Sequence, residues 1–167
     1  MADDSKDDGA SVSLVSMEGE KFEVQLRVAQ MSELVKTMTE DDESTEEVPL
    51  VNVKARVLAK VIEYCKQHVD APPAAIAKPL KSSNLKEIVS EWDASFVDIE
   101  QEMLFELILA ANYMDIKPLL ELTCAKVASM IKGKTPEEIR KTFNIVNDFT
   151  PEEERQVREE NKWCEET

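Results

Sequence analysis

Apolar and polar residues alternate near the start of the chain, and this pattern predicts a β-hairpin. The alternating apolar positions are Val12, Leu14, Phe22, Val24 and Leu26. A period of two places such residues on one face of a strand, and Glu18-Gly19 supplies the turn between the two runs. A third apolar piece at 48–53 contains Pro49, which suits an edge strand. We expect a small sheet with one buried face.

Four later segments carry apolar residues at helical spacing or in continuous runs. Segments 28–38 and 54–68 each present one apolar stripe, whereas 101–114 and 119–131 are apolar almost all round. A helix without a polar face is buried on every side or carries a partner surface on one of them. The last two segments are expected to form a helical hairpin. Together with the sheet, they predict an α+β fold.

The same four residues, Thr-Pro-Glu-Glu, occur at 135–138 and again at 150–153. Thr at the N-cap, Pro at the first helical position and Glu three residues after the cap form a capping box, so each copy predicts a helix start. The second helix, 151–163, offers only Val157, Trp163 and the adjacent Cys164 as apolar material. A helix so polar and short is marginal alone in water. Because the C-terminal end holds more apolar residues than a small helical cluster can bury, we expect part of them to face a partner.

Proline residues interrupt the segment at 69–91, which predicts a long loop within a domain rather than a linker between domains. Trp92 and Phe96 end this loop and are expected to anchor the returning chain to the core. The predicted organisation is an acidic disordered tail at 1–10, a domain at 11–131 with the loop at about 69–91, and further helices at 132–167.

The formal net charge of −15 over 167 residues limits the classes of partner. Nucleic acids and anionic membranes both attract clustered Lys and Arg, so neither is an expected partner. An apolar content of 43% is enough for a core. The N-terminus lacks the basic and apolar stretches of a signal peptide, and no apolar run reaches the ~18 residues of a membrane span. We expect the protein in the cytoplasm and nucleus.

Three cysteines and one histidine leave little material for metal or nucleophilic chemistry. Cys65, Cys124 and Cys164 lie far apart in the sequence, and a structural zinc site needs about four ligands at close spacing. His68 is the single histidine, and we expect it at the surface or at a helix end rather than beside a nucleophile. The sequence therefore predicts no metal, no cofactor and no enzymatic activity.

The chain contains the three stretches LFELILAANYMDIK, TCAKVASMIKGKTPEEIRKTFNIVNDFTPEEE and QVREENKWCEE. These stretches resemble the S-phase kinase-associated protein 1 family. The resemblance extends from Val12 to the C-terminus. It implies a BTB/POZ fold over 11–131, with appended C-terminal helices at 132–167 that bind F-box proteins. It also implies that the protein is a non-catalytic adaptor of SCF ubiquitin ligases. Such an adaptor bridges F-box substrate receptors to a cullin, and through the cullin to its RING subunit, for protein ubiquitination and proteasomal degradation.

The resemblance implies two binding surfaces. Asn112 and Tyr113 match the pair that the family uses to bind a cullin. The F-box surface lies within the region from Ile108 to Thr167, and its expected contacts are Ile108, Leu120, Cys124, Val127, Ile131, Ile139, Phe143 and Trp163. For each apolar residue the alternative is ordinary core packing within this chain, and for Tyr113 it is a surface aromatic without a partner. Pro151 is a candidate modification site, because some unicellular relatives carry hydroxyproline and attached sugar in this motif.

A hypothesis from another class stays open. In this alternative the chain is a self-associating BTB/POZ structural module whose terminal helices seal its own homodimer. The adaptor hypothesis also allows a homodimer when no F-box protein is present. Addition of an F-box peptide separates the two hypotheses, because the adaptor predicts a one-to-one heterodimer and the structural module predicts an unchanged homodimer.

Overall fold

The computed structural model describes residues 9–164, so residues 1–8 of the expected acidic tail lie outside the described residues. The described residues form two compact units, which divide between Lys132 and Gly133. Within 9–164 there are three strands and eight α-helices, which confirms the predicted α+β class. None of the helices in this range combines the length and the apolar character that crossing a bilayer requires.

The first unit contains the three-stranded sheet and six helices, with two of the helices between the second and third strands. The strands are β1 (Ser11–Val15), β2 (Lys21–Gln25) and β3 (Glu47–Pro49). The helices are α1 (Leu26–Ala29), α2 (Glu33–Asp41), α3 (Ala55–His68), α4 (Glu91–Phe96), α5 (Gln101–Met114) and α6 (Lys117–Ile131). The second unit holds α7 (Pro136–Phe143) and α8 (Pro151–Glu160). Short 3-10 turns occur at Leu85–Glu87 and Lys162–Cys164.

The central strand of the sheet is β1, which lies between β2 and β3. It pairs antiparallel with β2, where Leu14 lies opposite Phe22, and parallel with β3, where Leu14 lies opposite Val48. Val12, Leu14, Val24 and Val48 are buried. The period-two alternation therefore produces the single buried face that it predicts.

Glycine and proline occupy the expected places around the sheet. Gly19 has a φ of 85° in the turn between β1 and β2, a conformation that glycine adopts without steric cost. Pro49 ends β3 at the edge of the sheet, where its missing N–H removes no ladder hydrogen bond. The strand is shorter than the apolar run at 48–53, because the chain turns after Pro49 and the Val53 N–H donates to the Leu50 carbonyl at 3.1 Å.

The continuous helix predicted over 28–38 is wrong, since the chain forms α1 and α2 instead. Ser32 is the N-cap of α2 and accepts a hydrogen bond from the Val35 N–H at 3.3 Å. The Ser32 hydroxyl also donates to the carbonyl oxygen of Met114, at the end of α5. Leu26, expected at the end of the hairpin, begins α1. The local cap at Ser32 begins α2, and the contact to Met114 ties this start to a distant helix; hydrophobic periodicity reveals neither.

The helices α3, α5 and α6 build most of the core together with the sheet. The apolar stripe of α3 is buried as predicted, at Val57, Leu58, Val61, Ile62 and Cys65. Helix α5 packs against both α3 and α6. Asp115 adopts a left-handed conformation between α5 and α6, and the Ile116 N–H donates to the Ala111 carbonyl at 2.9 Å. The predicted helical hairpin is thus confirmed.

A buried histidine and a buried aspartate join the end of α3 to α4. His68 is 6% exposed and Asp93 is 4% exposed. Nε2 of His68 lies 2.5 Å from Oδ1 of Asp93, and Nδ1 lies 2.8 Å from the carbonyl oxygen of Ala71. A carbonyl oxygen only accepts, so Nδ1 donates to Ala71, and the hydrogen bond between Nε2 and Oδ1 of Asp93 engages the other ring nitrogen. We call His68, Ala71 and Asp93 the His68 clasp. Of the two positions expected for His68, the helix end is confirmed and the surface is wrong.

Aromatic rings surround the His68 clasp and hold the end of the long loop against the core. Trp92 stacks on Phe96 with 5.0 Å between ring centroids, and the Tyr64 ring lies 4.6 Å from that of His68. Trp92 is half-buried and Phe96 is buried. The predicted anchoring role of both aromatics is confirmed. The segment before them is irregular apart from the 3-10 turn at Leu85–Glu87.

The His68 clasp makes a testable contribution to stability. Replacing His68 by Leu leaves the Asp93 carboxyl buried without its partner, so the free energy of unfolding should fall by about 3–5 kcal/mol. Urea denaturation of the full chain measures this loss. The matched control is Lys21→Ala, which breaks the exposed ion pair with Glu47 and should cost about 0–1 kcal/mol. Equal losses for the two variants would show that the clasp is not a stabilising contact.

Candidate functional site

One side of α5 is exposed although the helix is apolar almost all round. Leu104, Leu107, Ala111 and Met114 are buried, whereas Glu102, Phe105, Leu109 and Asn112 are exposed. The exposed residues recur every three or four positions, so they lie on one side of the helix. We call them the α5 stripe. Leu109 is 69% exposed, which is unusual for a residue in such an apolar helix and is consistent with a partner surface.

The α5 stripe ends at the residues that the sequence assigns to cullin binding. Asn112 is exposed in the last turn of α5, and the adjacent Tyr113 is half-buried and packs against the core. Sequence reasoning missed Phe105 and Leu109. Their spacing of four, with Asn112 three residues later, was the signal that could have found them. The assignment of Asn112 and Tyr113 stays a prediction.

Two basic residues, Lys54 at the N-cap of α3 and Arg56 within α3, form ion pairs with Glu106 on α5. Glu106 Oε1 lies 2.7 Å from Lys54 Nζ, and Glu106 Oε2 lies 3.0 Å from a guanidinium nitrogen of Arg56. The hydrogen bond from the Lys54 ammonium holds the pKa of the Glu106 carboxyl below its usual value, and the nearby charge of Arg56 acts in the same direction. These contacts lie at the edge of the packed contact between α3 and α5.

An apolar groove of about 710 Å³ runs along α6. One wall comes from α6 through Leu120, Cys124, Ala128 and Ile131, and the other comes from the long loop. Cys124 and Ile131 are exposed, and Leu120 is half-buried. We call this feature the α6 groove. Concave, mostly apolar surfaces of this size are typical of binding sites, and a short amphipathic helix is one ligand that fits them.

The structure brings only part of the predicted F-box residues to the α6 groove. Leu120, Cys124 and Ile131 line it, whereas Val127 is half-buried elsewhere on α6. Ile108 is half-buried on α5 and packs against the core. The loop wall of the groove was missed by sequence reasoning, because nothing in a proline-rich segment shows which helix it contacts. The individual F-box contacts stay predictions.

Both capping boxes of the second unit form as the sequence predicts. Thr135 Oγ1 accepts from the Glu138 N–H at 3.3 Å, and the Thr135 N–H donates to Glu138 Oε2 at 3.2 Å. Thr150 and Glu153 make the same pair of bonds at 3.2 and 2.9 Å. The helices α7 and α8 are joined by ion pairs from Arg140 to Glu154 and from Arg158 to Glu137. This unit is therefore held largely by local and polar contacts.

Apolar side chains of the second unit remain accessible. None of residues 133–163 is buried. Ile139 and Phe143 on α7 are half-buried, and Trp163 is 72% exposed. Ile145, Val146 and Phe149, between the two helices, are also exposed. Exposed apolar residues at this density are typical of a surface that a partner covers.

The predicted F-box region extends past the part of the chain that the structure describes. The sequence places the end of this region at Thr167, whereas the described residues end at Cys164. Residues 165–167, with Thr167, therefore lie outside the described residues. Trp163, the last of the expected F-box contacts, lies within them. The C-terminal bound of the region at Thr167 stays a prediction.

The described residues offer no arrangement suited to metal binding. Across 9–164, no three His, Cys, Asp or Glu side chains come together as a possible metal site. His68 has no nucleophile among its hydrogen-bond partners, which are the Ala71 carbonyl and the Asp93 carboxyl. Cys65 and Cys124 are free thiols, one buried and one exposed.

The two described thiols should differ sharply in reactivity. Burial raises the pKa of the Cys65 thiol to about 12, and only the thiolate attacks alkylating reagents. In a Cys164→Ser background at pH 8, we expect iodoacetamide to modify Cys124 within the α6 groove while Cys65 reacts only after unfolding in urea. Peptide mass spectrometry measures both rates. Similar rates for the two thiols in the native protein would contradict the burial of Cys65.

Two protein-family models match this chain. The POZ model, described as "Skp1 family, tetramerisation domain", matches residues 10–70. The model described as "Skp1 family, dimerisation domain" matches residues 117–164. Together they cover β1 to α3 and α6 to the last turn, which include the central strand and the α6 wall of the groove.

Curated proteins from several organisms are similar to this chain over nearly their full length. One is "S-phase kinase-associated protein 1 homolog" from Tetrahymena thermophila, 59% identical over 93% of this chain and 94% of the relative. Another is "SKP1-like protein 1A" from Arabidopsis thaliana, 55% identical over 92% of this chain and 96% of the relative. A third is "E3 ubiquitin ligase complex SCF subunit sconC" from Arthroderma otae, 52% identical over 93% and 95%.

Proposed function

The chain belongs to the Skp1 family, and on this premise we propose that it is a non-catalytic adaptor subunit of an SCF ubiquitin ligase. It holds an F-box substrate receptor on one surface and a cullin on another, so that proteins bound by the receptor are ubiquitinated and degraded by the proteasome. The observation that carries this proposal is the pair of exposed apolar surfaces, the α5 stripe and the α6 groove, formed by different residues.

The family and the fold class predicted from the sequence are both confirmed. The S-phase kinase-associated protein 1 resemblance agrees with the two matched models and with the names of the relatives. The BTB/POZ fold agrees with the POZ model over 10–70 and with a small sheet flanked by helices. The relative named as an SCF subunit supports the adaptor role.

The F-box receptor is proposed to bind the α6 groove and the exposed apolar side chains of the second unit. Burying a Leu, Ile, Phe or Trp side chain that is exposed in the free protein is favourable by about 1.5–3 kcal/mol. A few such anchors usually supply most of the binding free energy of an interface. Among the anchors proposed here, Trp163 is the largest and is mostly exposed.

The cullin is proposed to bind the α5 stripe together with Tyr113. Asn112 supplies an exposed amide that can both donate and accept hydrogen bonds, and Leu109 supplies the apolar contact next to it. Helix α5 packs against α3, and the ion pairs from Glu106 to Lys54 and Arg56 lie beside that contact. The surface is thus formed before the cullin arrives, which reduces the entropy lost on binding.

Self-association is the second candidate function. It is favoured by the same exposed apolar residues and by the descriptions of the matched models, which name dimerisation and tetramerisation. In this case a homodimer covers the apolar surfaces that a receptor would otherwise cover. Sedimentation velocity with an added F-box domain distinguishes the two candidates, since the adaptor forms a one-to-one heterodimer and the structural module stays a homodimer.

Two further proposals concern the setting in which the adaptor works. We place it in the cytoplasm and nucleus, and imaging of the tagged full chain in cells tests this location.

Pro151 is proposed as a modification site, because it is exposed at the first position of α8. Its ring atoms make no helical hydrogen bond, so a hydroxyl group there leaves the capping box intact. Mass spectrometry of the protein from its own cells tests for hydroxylation.

The cullin side gives the first functional prediction. The double variant Asn112→Lys, Tyr113→Lys should weaken cullin binding by about a hundredfold, because it removes an anchor and places two charges in the contact. F-box binding should stay within about twofold of wild type. Calorimetry with each purified partner measures both affinities. The control variant Ala59→Lys, Gln67→Lys adds the same charge at exposed positions of α3 and should bind both partners normally.

The second functional prediction concerns Trp163 on the proposed F-box surface. Trp163→Ala removes an exposed aromatic anchor, and loss of about 2 kcal/mol should weaken F-box binding by about 30-fold. Cullin binding and the thermal unfolding midpoint should not change, since Trp163 is mostly exposed. The neighbouring Lys162→Ala serves as the matched control. If Trp163→Ala bound F-box domains as tightly as wild type, Trp163 would be no part of the receptor surface.

A further inference from the structure

The long loop supplies one wall of the α6 groove. Ile76, Pro79 and Leu80 line the groove opposite the side chains of α6. Ile76 and Leu80 are half-buried and pack against the core, so they are not simply solvated loop residues. The groove therefore has two apolar walls, a regular one on a helix and an irregular one on a loop.

The loop wall is held in place from two directions. At its start, the His68 clasp fixes the backbone through the 2.8 Å bond from His68 Nδ1 to the Ala71 carbonyl. Further along, Ile76 and Leu80 pack against the core, and Lys78 Nζ makes an exposed contact of 3.6 Å with Glu121 Oε1 on α6. Because these contacts lie within the chain, the wall is formed before any partner binds. Less conformational entropy is therefore lost on binding.

The rim of the groove is positively charged although the whole chain is strongly acidic. Lys78, Lys117 and Lys132 line the groove and are exposed, and Lys78 pairs with Glu121, the acidic residue among the lining groups. The formal net charge of the chain is −15. A local excess of lysine in such a chain favours a ligand with carboxylates at its edges, through charge complementarity.

We propose that the Ile76–Leu80 segment determines which F-box receptors bind tightly. Together with α6, it binds an amphipathic helix of the receptor that has an apolar face and acidic flanks. The apolar face of that helix enters the groove between Leu80 and Cys124, and its carboxylates lie along the lysine rim. This inference rests on the proposed adaptor function and adds a specificity element to the same site. Receptors whose helix carries basic flanks bind less tightly.

Calorimetry with the full chain and two recombinant F-box domains tests the loop wall. One domain carries Asp and Glu beside its leucine-bearing helix, and its charge-reversed form carries Lys at those positions. The variant Ile76→Asp, Leu80→Asp should bind the acidic domain about tenfold more weakly than wild type. The matched control Ala77→Asp, Ser83→Asp adds the same charge at exposed loop positions outside the groove and should stay within about twofold.

A second pair of measurements tests the lysine rim and does not depend on how the loop variant folds. Wild type should bind the acidic domain several-fold more tightly than the charge-reversed one, and this preference should shrink at high salt. The variant Lys117→Gln, Lys132→Gln should remove most of the preference. Thermal unfolding of each variant identifies any variant that does not fold. If the loop variant does not fold, the binding measurements on wild type and on Lys117→Gln, Lys132→Gln test the proposal.

The outcomes separate this inference from the adaptor proposal. The proposed role of the loop wall is overturned if a folded Ile76→Asp, Leu80→Asp variant binds as wild type does, or if wild type binds the two domains equally. Either result leaves the adaptor function unaffected. If wild type binds neither domain, the adaptor function itself fails. If the loop variant turns a homodimer into a monomer and keeps its F-box affinity, the groove holds a second copy of the chain and the inference is overturned.

Discussion

Helix α5 has more apolar surface than its neighbours can bury, and the arrangement of the first unit follows from this constraint. Packing against α3 and α6 buries Leu104, Leu107 and Met114. A helix that contacts neighbours on part of its circumference keeps the rest in solvent, so Leu109 stays exposed. The same packing sets the position of α6, and with it the helical wall of the groove. Core and binding surfaces are thus two sides of the same helices.

Buried polar contacts give the irregular parts of the first unit a defined place. The His68 clasp ties the loop to the end of α3 and to α4. The Ser32 hydroxyl ties the start of α2 to the end of α5. Each contact satisfies groups that would otherwise be costly to bury, and each joins segments distant in the chain. A loop held in this way can serve as a wall of a binding groove, whereas a freely moving loop would lose entropy on binding.

The second unit follows a different logic. Its helices are started by capping boxes and joined by ion pairs, and residues 133–163 include no buried side chain. Exposed ion pairs contribute little stability, so a unit of this kind gains most from an apolar partner surface. A partner that covers Trp163 and the half-buried Phe143 would provide the hydrophobic core that the unit itself lacks. The exposed C-terminal side chains are therefore the proposed receptor surface of this unit.

The sequence by itself determined the elements whose cause is local. Alternation predicted the hairpin, the repeated Thr-Pro-Glu-Glu predicted both capped helices, and three stretches identified the family. The tertiary structure alone decided where α1 and α2 separate, which side of α5 stays exposed, how His68 is buried and which helix the long loop contacts. Local hydrogen bonds and side-chain periodicity depend on residues that are close together in the sequence. These other features depend on contacts such as Ser32 to Met114 and Lys78 to Glu121, which join residues far apart in the chain and are fixed only when the whole unit packs.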